Sequence, residues 1–156
     1  MGDAAGQFRD DLEGVSRSLQ QLHKLVLEAE GAPLPGQAGL ALLDRLLNDP
    51  DWAWLRPLSR LIADLDEVLA RDTNLTRGEA AAAAGHVRAL VFGLGEPRDD
   101  AFLGRYRPLL QQSPALASAH GELKRLIDAL PAEPANTSEQ LHQRHVWAMR
   151  CKHQAR

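Results

Sequence analysis

Apolar residues fall at alternating intervals of four and three near the start of the chain: Phe8, Leu12, Val15, Leu19, Leu22 and Val26. That spacing puts all six on one face of a helix and predicts a helix from about Phe8 to Glu30. Such a seam faces either the centre of a bundle or a second copy of the chain. Gly31, Pro33, Pro35 and Gly36 end it in a loop. A short helix follows, with Leu40, Leu43, Leu46 and Leu47 as its stripe. Asn48-Asp49-Pro50 marks a new start, with Asp49 as an acceptor for freed N–H groups and Pro50 at a position where its missing N–H has no cost. The third helix presents Trp54 or Leu55, Leu58, Leu61, Ile62, Leu65, Val68 and Leu69. Pro57 inside this run predicts a kink, or a separate short turn over residues 50–55.

Thr76-Arg77-Gly78-Glu79 has the form of a capping box, in which Thr76 and Glu79 satisfy each other's backbone N–H groups. It opens a fourth helix through the alanines Ala80 to Ala84, whose small side chains allow close helix–helix approach, and Gly93, Gly95 and Pro97 stop it. A fifth helix over about Asp100 to Gln112 turns Phe102, Tyr106, Leu109 and Leu110 inward, and Ser113-Pro114 starts a sixth that runs to Leu130. Beyond it, residues 131–156 are expected as a linker and a basic, flexible tail. Its one helical stretch, capped by Ser138 with Leu141, Val146 and Met149, has poor periodicity and is expected to be marginal, or ordered only against a partner.

The expectation is therefore an all-α fold, a five- or six-helix antiparallel bundle or orthogonal array over residues 1–130. Composition strengthens it. Leu, Ala, Arg and acidic residues dominate the 156 positions, and aromatic residues make up 4%. Net charge is −3, with 14 basic and 19 acidic side chains before position 131 and 4 basic and 2 acidic after it. The body offers nothing to attract a phosphate backbone, so no nucleic-acid partner is expected. The longest apolar run, Ala80 to Leu94, carries His86 and Arg88 and is too short to span a bilayer, so no membrane partner is expected either. A single cysteine, Cys151, rules out an internal disulfide and fits the cytoplasm.

Leu46 to Pro50, Trp54 to Ser59 and Asp66-Glu67 together give this chain its most particular stretch. The stretch resembles a block found in a family of small, uncharacterised bacterial helical proteins, in which Leu-Leu-Asn-Asp-Pro precedes Trp-Leu-Arg-Pro-Leu-Ser and an acidic pair. The resemblance implies an all-helical fold and a bacterial source, and no activity.

Three groups of side chains are candidates for chemistry. Trp52 and Trp54, two apart, point in different directions on a helix, and an exposed indole beside Arg56 would anchor a protein partner. His120 shares a helix face with Leu116, Leu123, Ile127 and Leu130. If His23 and His86 converged on it, three imidazoles would suit a transition metal, or one would suit haem. Otherwise His120 is a core histidine bonded to a backbone carbonyl. Asp64, Asp66 and Glu67 form an acidic cluster, with Arg56, Arg60 and Arg88 as candidate ion-pair partners for Asp66. In the tail, His142, His145, Cys151 and His153 form a weaker metal set.

The Glu-x-x-His signature of di-iron bundles occurs only at Glu139 to His142, and no phosphate loop, dinucleotide fingerprint, nucleophile elbow or HExxH is present. These observations favour a non-enzymatic cytoplasmic module that binds another protein or itself as a homodimer, with no cofactor. A metal- or haem-binding bundle using the core histidines is the alternative. A small enzyme with a carboxylate and Arg56 is the second.

Overall fold

The computed structural model describes residues 4–30, 50–71 and 74–152. Among these the fold is an all-α array of six α-helices with no strand. Helix α1 spans Ala4–Ala29; a 3-10 turn, Pro50–Leu55, leads into α2, Arg56–Arg71; α3 spans Arg77–Val87 and continues as a π turn over Arg88–Phe92; α4 spans Asp100–Gln112, α5 Pro114–Asp128 and α6 Thr137–Lys152.

The heptad seam of α1 is spent inside the molecule. Leu12, Val15, Leu19, Leu22 and Val26 are fully buried, and α1 packs on α2, α3, α4 and α5. Pro57 divides its segment as expected, with a 3-10 turn before it and an α-helix from Arg56 onward. The capping box forms in full: the Glu79 N–H donates to Thr76 Oγ1 at 3.1 Å, and the Thr76 N–H donates to Glu79 Oε1 at 3.3 Å. Asp99 caps α4 by accepting from the Phe102 N–H at 2.9 Å, and Ser113 caps α5 by accepting from the Leu116 N–H at 3.2 Å. The chain leaves α3 through Gly93, whose φ of 67° is open to glycine without strain. The expected short helix with Leu40, Leu43, Leu46 and Leu47 lies outside the described residues.

The C-terminal segment differs most from expectation. Residues 137–152 form a full helix docked on α3, and not a flexible tail. The side chains picked out as its apolar stripe are largely on the wrong face. Leu141 is 64% exposed and Met149 42%, whereas Trp147, only 3% exposed, joins the core. Two ion pairs hold α6 in place. The Arg144 guanidinium grips the Glu133 carboxylate with two bonds, at 2.5 and 2.6 Å, and Arg150 pairs with the buried Glu79 and donates to the Asn74 carbonyl at 3.1 Å. Gly85 makes the first pair feasible, because a methyl group on its Cα would overlap the Glu133 carboxylate.

Two substitutions test this docking. Trp147→Ala is expected to cost about 3–5 kcal/mol in urea unfolding followed by far-UV circular dichroism. Gly85→Ala should also destabilise, although alanine is about 0.5–1 kcal/mol the better helix former, because the half-buried Glu133–Arg144 pair must shift to admit the methyl group. A loss below about 1 kcal/mol for Trp147→Ala would show that α6 contributes little to the fold.

Candidate functional site

An open groove of about 790 Å³ lies between three of the helices. Pro57, Arg60, Leu61 and Asp64 of α2 form one wall, and Trp147, Ala148 and Cys151 of α6 form the other. His86 and Leu90, from α3 and its π turn, also line it, and Pro97, Arg98 and Asp99 line it from the loop ahead of α4. A π turn within a helix recurs at functional sites in other proteins.

Three groups of this groove, His86, Cys151 and Asp64, shift in the same sense. Burial, and next the nearby Arg144 guanidinium, push the His86 imidazole down to about 4, against an opposing pull from Glu133. The Arg144 Nη1 lies 3.4 Å from His86 Nδ1, which accepts from it. Burial, and next the Asp64 charge, push the Cys151 thiol up to about 12. Burial also raises the Asp64 carboxyl above the usual range, with Arg60 opposing and Glu67 reinforcing. Each group is moved toward its neutral form, so the groove favours weakly polar contents and supplies no thiolate near neutral pH.

The three candidate histidines do not converge. They occupy three different helix interfaces. His23 Nε2 lies 3.0 Å from Ser59 Oγ between α1 and α2, His86 meets Arg144 between α3 and α6, and His120 Nδ1 lies 2.7 Å from the Tyr106 hydroxyl between α4 and α5. His120 is thus a packed histidine as the plainer reading had it, but its partner is a phenol and not a backbone carbonyl, and Phe92 meets its ring edge-on at 4.7 Å. In the C-terminal set, His142 and His145 are exposed while Cys151 lines the groove; His153 is outside the described residues. Among the described residues no group of three His, Cys, Asp or Glu side chains is arranged to hold a metal ion.

The tryptophan pair is not an exposed anchor. Trp52 and Trp54 are half-buried against the core, and Arg56 is half-buried as well. Trp54 lies 5.7 Å from Phe102 between ring centroids, and the Arg105 guanidinium sits 5.3 Å above its ring. The acidic cluster also splits. Asp66 accepts from Ser16 Oγ and from Gln20 Nε2 at 3.1 Å, tying α2 to α1, and none of the arginines expected for it is its partner. Arg88 donates instead to the Ile127 carbonyl at 3.0 Å. Glu67 is exposed, and Asp64 alone of the three lines the groove.

Sequence reasoning missed Trp147, Ala148 and the Pro97–Asp99 rim as site residues. One signal was available for α6. Five consecutive alanines leave no polar face on α3, so a second layer has to cover it. Comparison of the chain with family models, with curated proteins and with solved structures finds no match.

The shifts carry two measurable consequences. Alkylation of Cys151 by iodoacetamide at pH 8 should run roughly a thousandfold slower in the folded chain than in urea, in proportion to the lost thiolate. Rates within tenfold of each other would contradict a thiol held at about 12. A histidine kept neutral by the fold stabilises it fully above its unfolded pKa of 6.5, and that contribution disappears as pH falls toward about 4. His23 and His120, also lowered by burial, act with the same sign, while Asp64, raised, acts with the opposite one. The unfolding free energy should therefore drop between pH 6.5 and 4, with His86 supplying roughly 1–3 kcal/mol of the drop. His86→Gln should flatten that slope in urea titrations across the range.

Proposed function

We propose that this protein is a non-enzymatic binding module of the bacterial cytoplasm, and that the groove between α2, α3 and α6 takes a segment of another protein. The groove itself carries the reading. It has an apolar interior of Leu61, Leu90, Trp147 and Ala148, and a rim of mixed charge from Arg60, Arg98 and Asp99. An apolar centre within a polar rim is the usual anatomy of a protein interface. The protonated thiol and neutral imidazole argue for binding over nucleophilic chemistry. The seam of α1, which would have supported a homodimer, is consumed in the core. The lone cysteine fits a reducing setting, and among the described residues no helix is long and apolar enough to cross a membrane.

A small apolar molecule is the second reading, favoured by the groove's size, which falls within the roughly 300–1,000 Å³ of small-molecule sites. A photoreactive amino acid placed at position 148 separates the two. Irradiation in cells should join a defined polypeptide to position 148 and none to position 141, on the exposed side of the same helix. Adducts of small-molecule mass alone, or equal labelling at both positions, would count against a protein partner.

A further inference from the structure

Helix α6 is attached to the fold differently from its neighbours. Of its described side chains only Trp147 is buried, whereas α2 buries five apolar side chains and α5 three. Much of its contact with α3 is polar. Gln143 lies over Gly78, Arg144 and Glu133 lie over Gly85, and Arg150 meets Glu79. An ion pair drawn out of water responds very differently to two kinds of loss. Removing one partner strands the other charge, but when both partners return to water each regains the hydration it gave up. Undocking α6 separates Arg144 from Glu133 and Arg150 from Glu79 in the second way.

Little apolar area is uncovered on α3 when α6 leaves. Alanine and glycine make up most of that helix, and alanine holds a helix better than any other residue. Helix α1 still packs on α3 from its own side. Helix α6, at 16 residues with weak periodicity, is marginal as an isolated helix. Elements with few buried apolar contacts open at lower free energy than the core they rest on.

We propose that α6 is a strap: it undocks from α3 as one unit, turning on residues 132–136, and redocks while α1 to α5 stay folded. None of those five connecting residues is buried, and none is helical. Because α6 supplies one wall of the groove, each opening also takes the groove apart. The inference holds whatever the groove binds.

Hydrogen exchange of the full-length chain, resolved by residue and followed through low urea concentrations, tests this. Amides of residues 141–151 should share one opening, about a hundredfold or more as frequent as that of the α1 and α5 amides and less dependent on urea, since it exposes less surface. Two variants, checked for folding by circular dichroism, define the open form. Ile127→Val loosens the packing of α5, which the open form retains. It should speed exchange in α1 and α5 by about two- to tenfold and leave α6 unchanged. Glu133→Gln strands Arg144 only while α6 is docked, so it should speed exchange in α6, α1 and α5 by one common factor of about ten or more. Three results overturn the proposal. One is an α6 with the protection and urea dependence of α1, which leaves only when the whole chain unfolds. Another is protection that declines steadily toward Lys152, which is fraying. The third is an α6 that responds to Ile127→Val as α1 does, or does not respond to Glu133→Gln.

Discussion

A helix that shows alanine in every direction has to be covered in every direction. Ala80 to Ala84 and Gly85 of α3 are all buried, so the helix has no face to give to water. Helix α1 lies on one side of it and α6 on another. Small side chains permit the close approach but offer little area of their own, so attachment falls to groups at the margins. Glu79 caps α3 and receives Arg150 of α6; Gly85 leaves room for the carboxylate that holds Arg144; Trp147 adds the one large apolar side chain of α6 in the core. Because these groups surround the alanine run, losing any of them strips cover from the same buried helix.

The groove follows from this arrangement. Helix α2 is recruited chiefly by α1, and α6 by α3. The two meet less extensively with each other, and the space between them is only partly filled. At position 148 α6 presents an alanine toward it, and α2 presents Pro57. The loop ahead of α4, held by the Asp99 cap, supplies the rim. The cleft lies between two helices whose main contacts are elsewhere.

What could be read from the sequence was what is local in sequence. The α1 seam, the Thr76–Glu79 box, the Ser113-Pro114 start and the break at Pro57 each depend on residues within a few positions of one another. The C-terminal helix is not legible in the sequence because its attachment is not local. Its hydrophobic periodicity is weak, and the bonds that hold it reach to Glu79, Glu133 and Asn74. The same limit applies to the histidines. Whether His23, His86 and His120 meet depends on how the helices pack, and they came to rest beside Ser59, Arg144 and Tyr106 at three separate interfaces. The groove draws on four stretches of chain, between Pro57 and Cys151, and no single stretch announces it.

The acidic cluster shows how packing divides residues that composition treats alike. Asp64 and Asp66 are two positions apart, which places them about 200° apart around a helix. The rotation turns Asp66 toward α1, where Ser16 and Gln20 occupy it, and Asp64 into the groove wall, near the Cys151 thiol of α6. Packing therefore accounts for Asp66 completely. Asp64 receives only the through-space charge of Arg60, which offsets part of the cost of its partial burial. Two acids of one cluster thus end in different roles, one tying two helices together and the other lining the wall of an open groove.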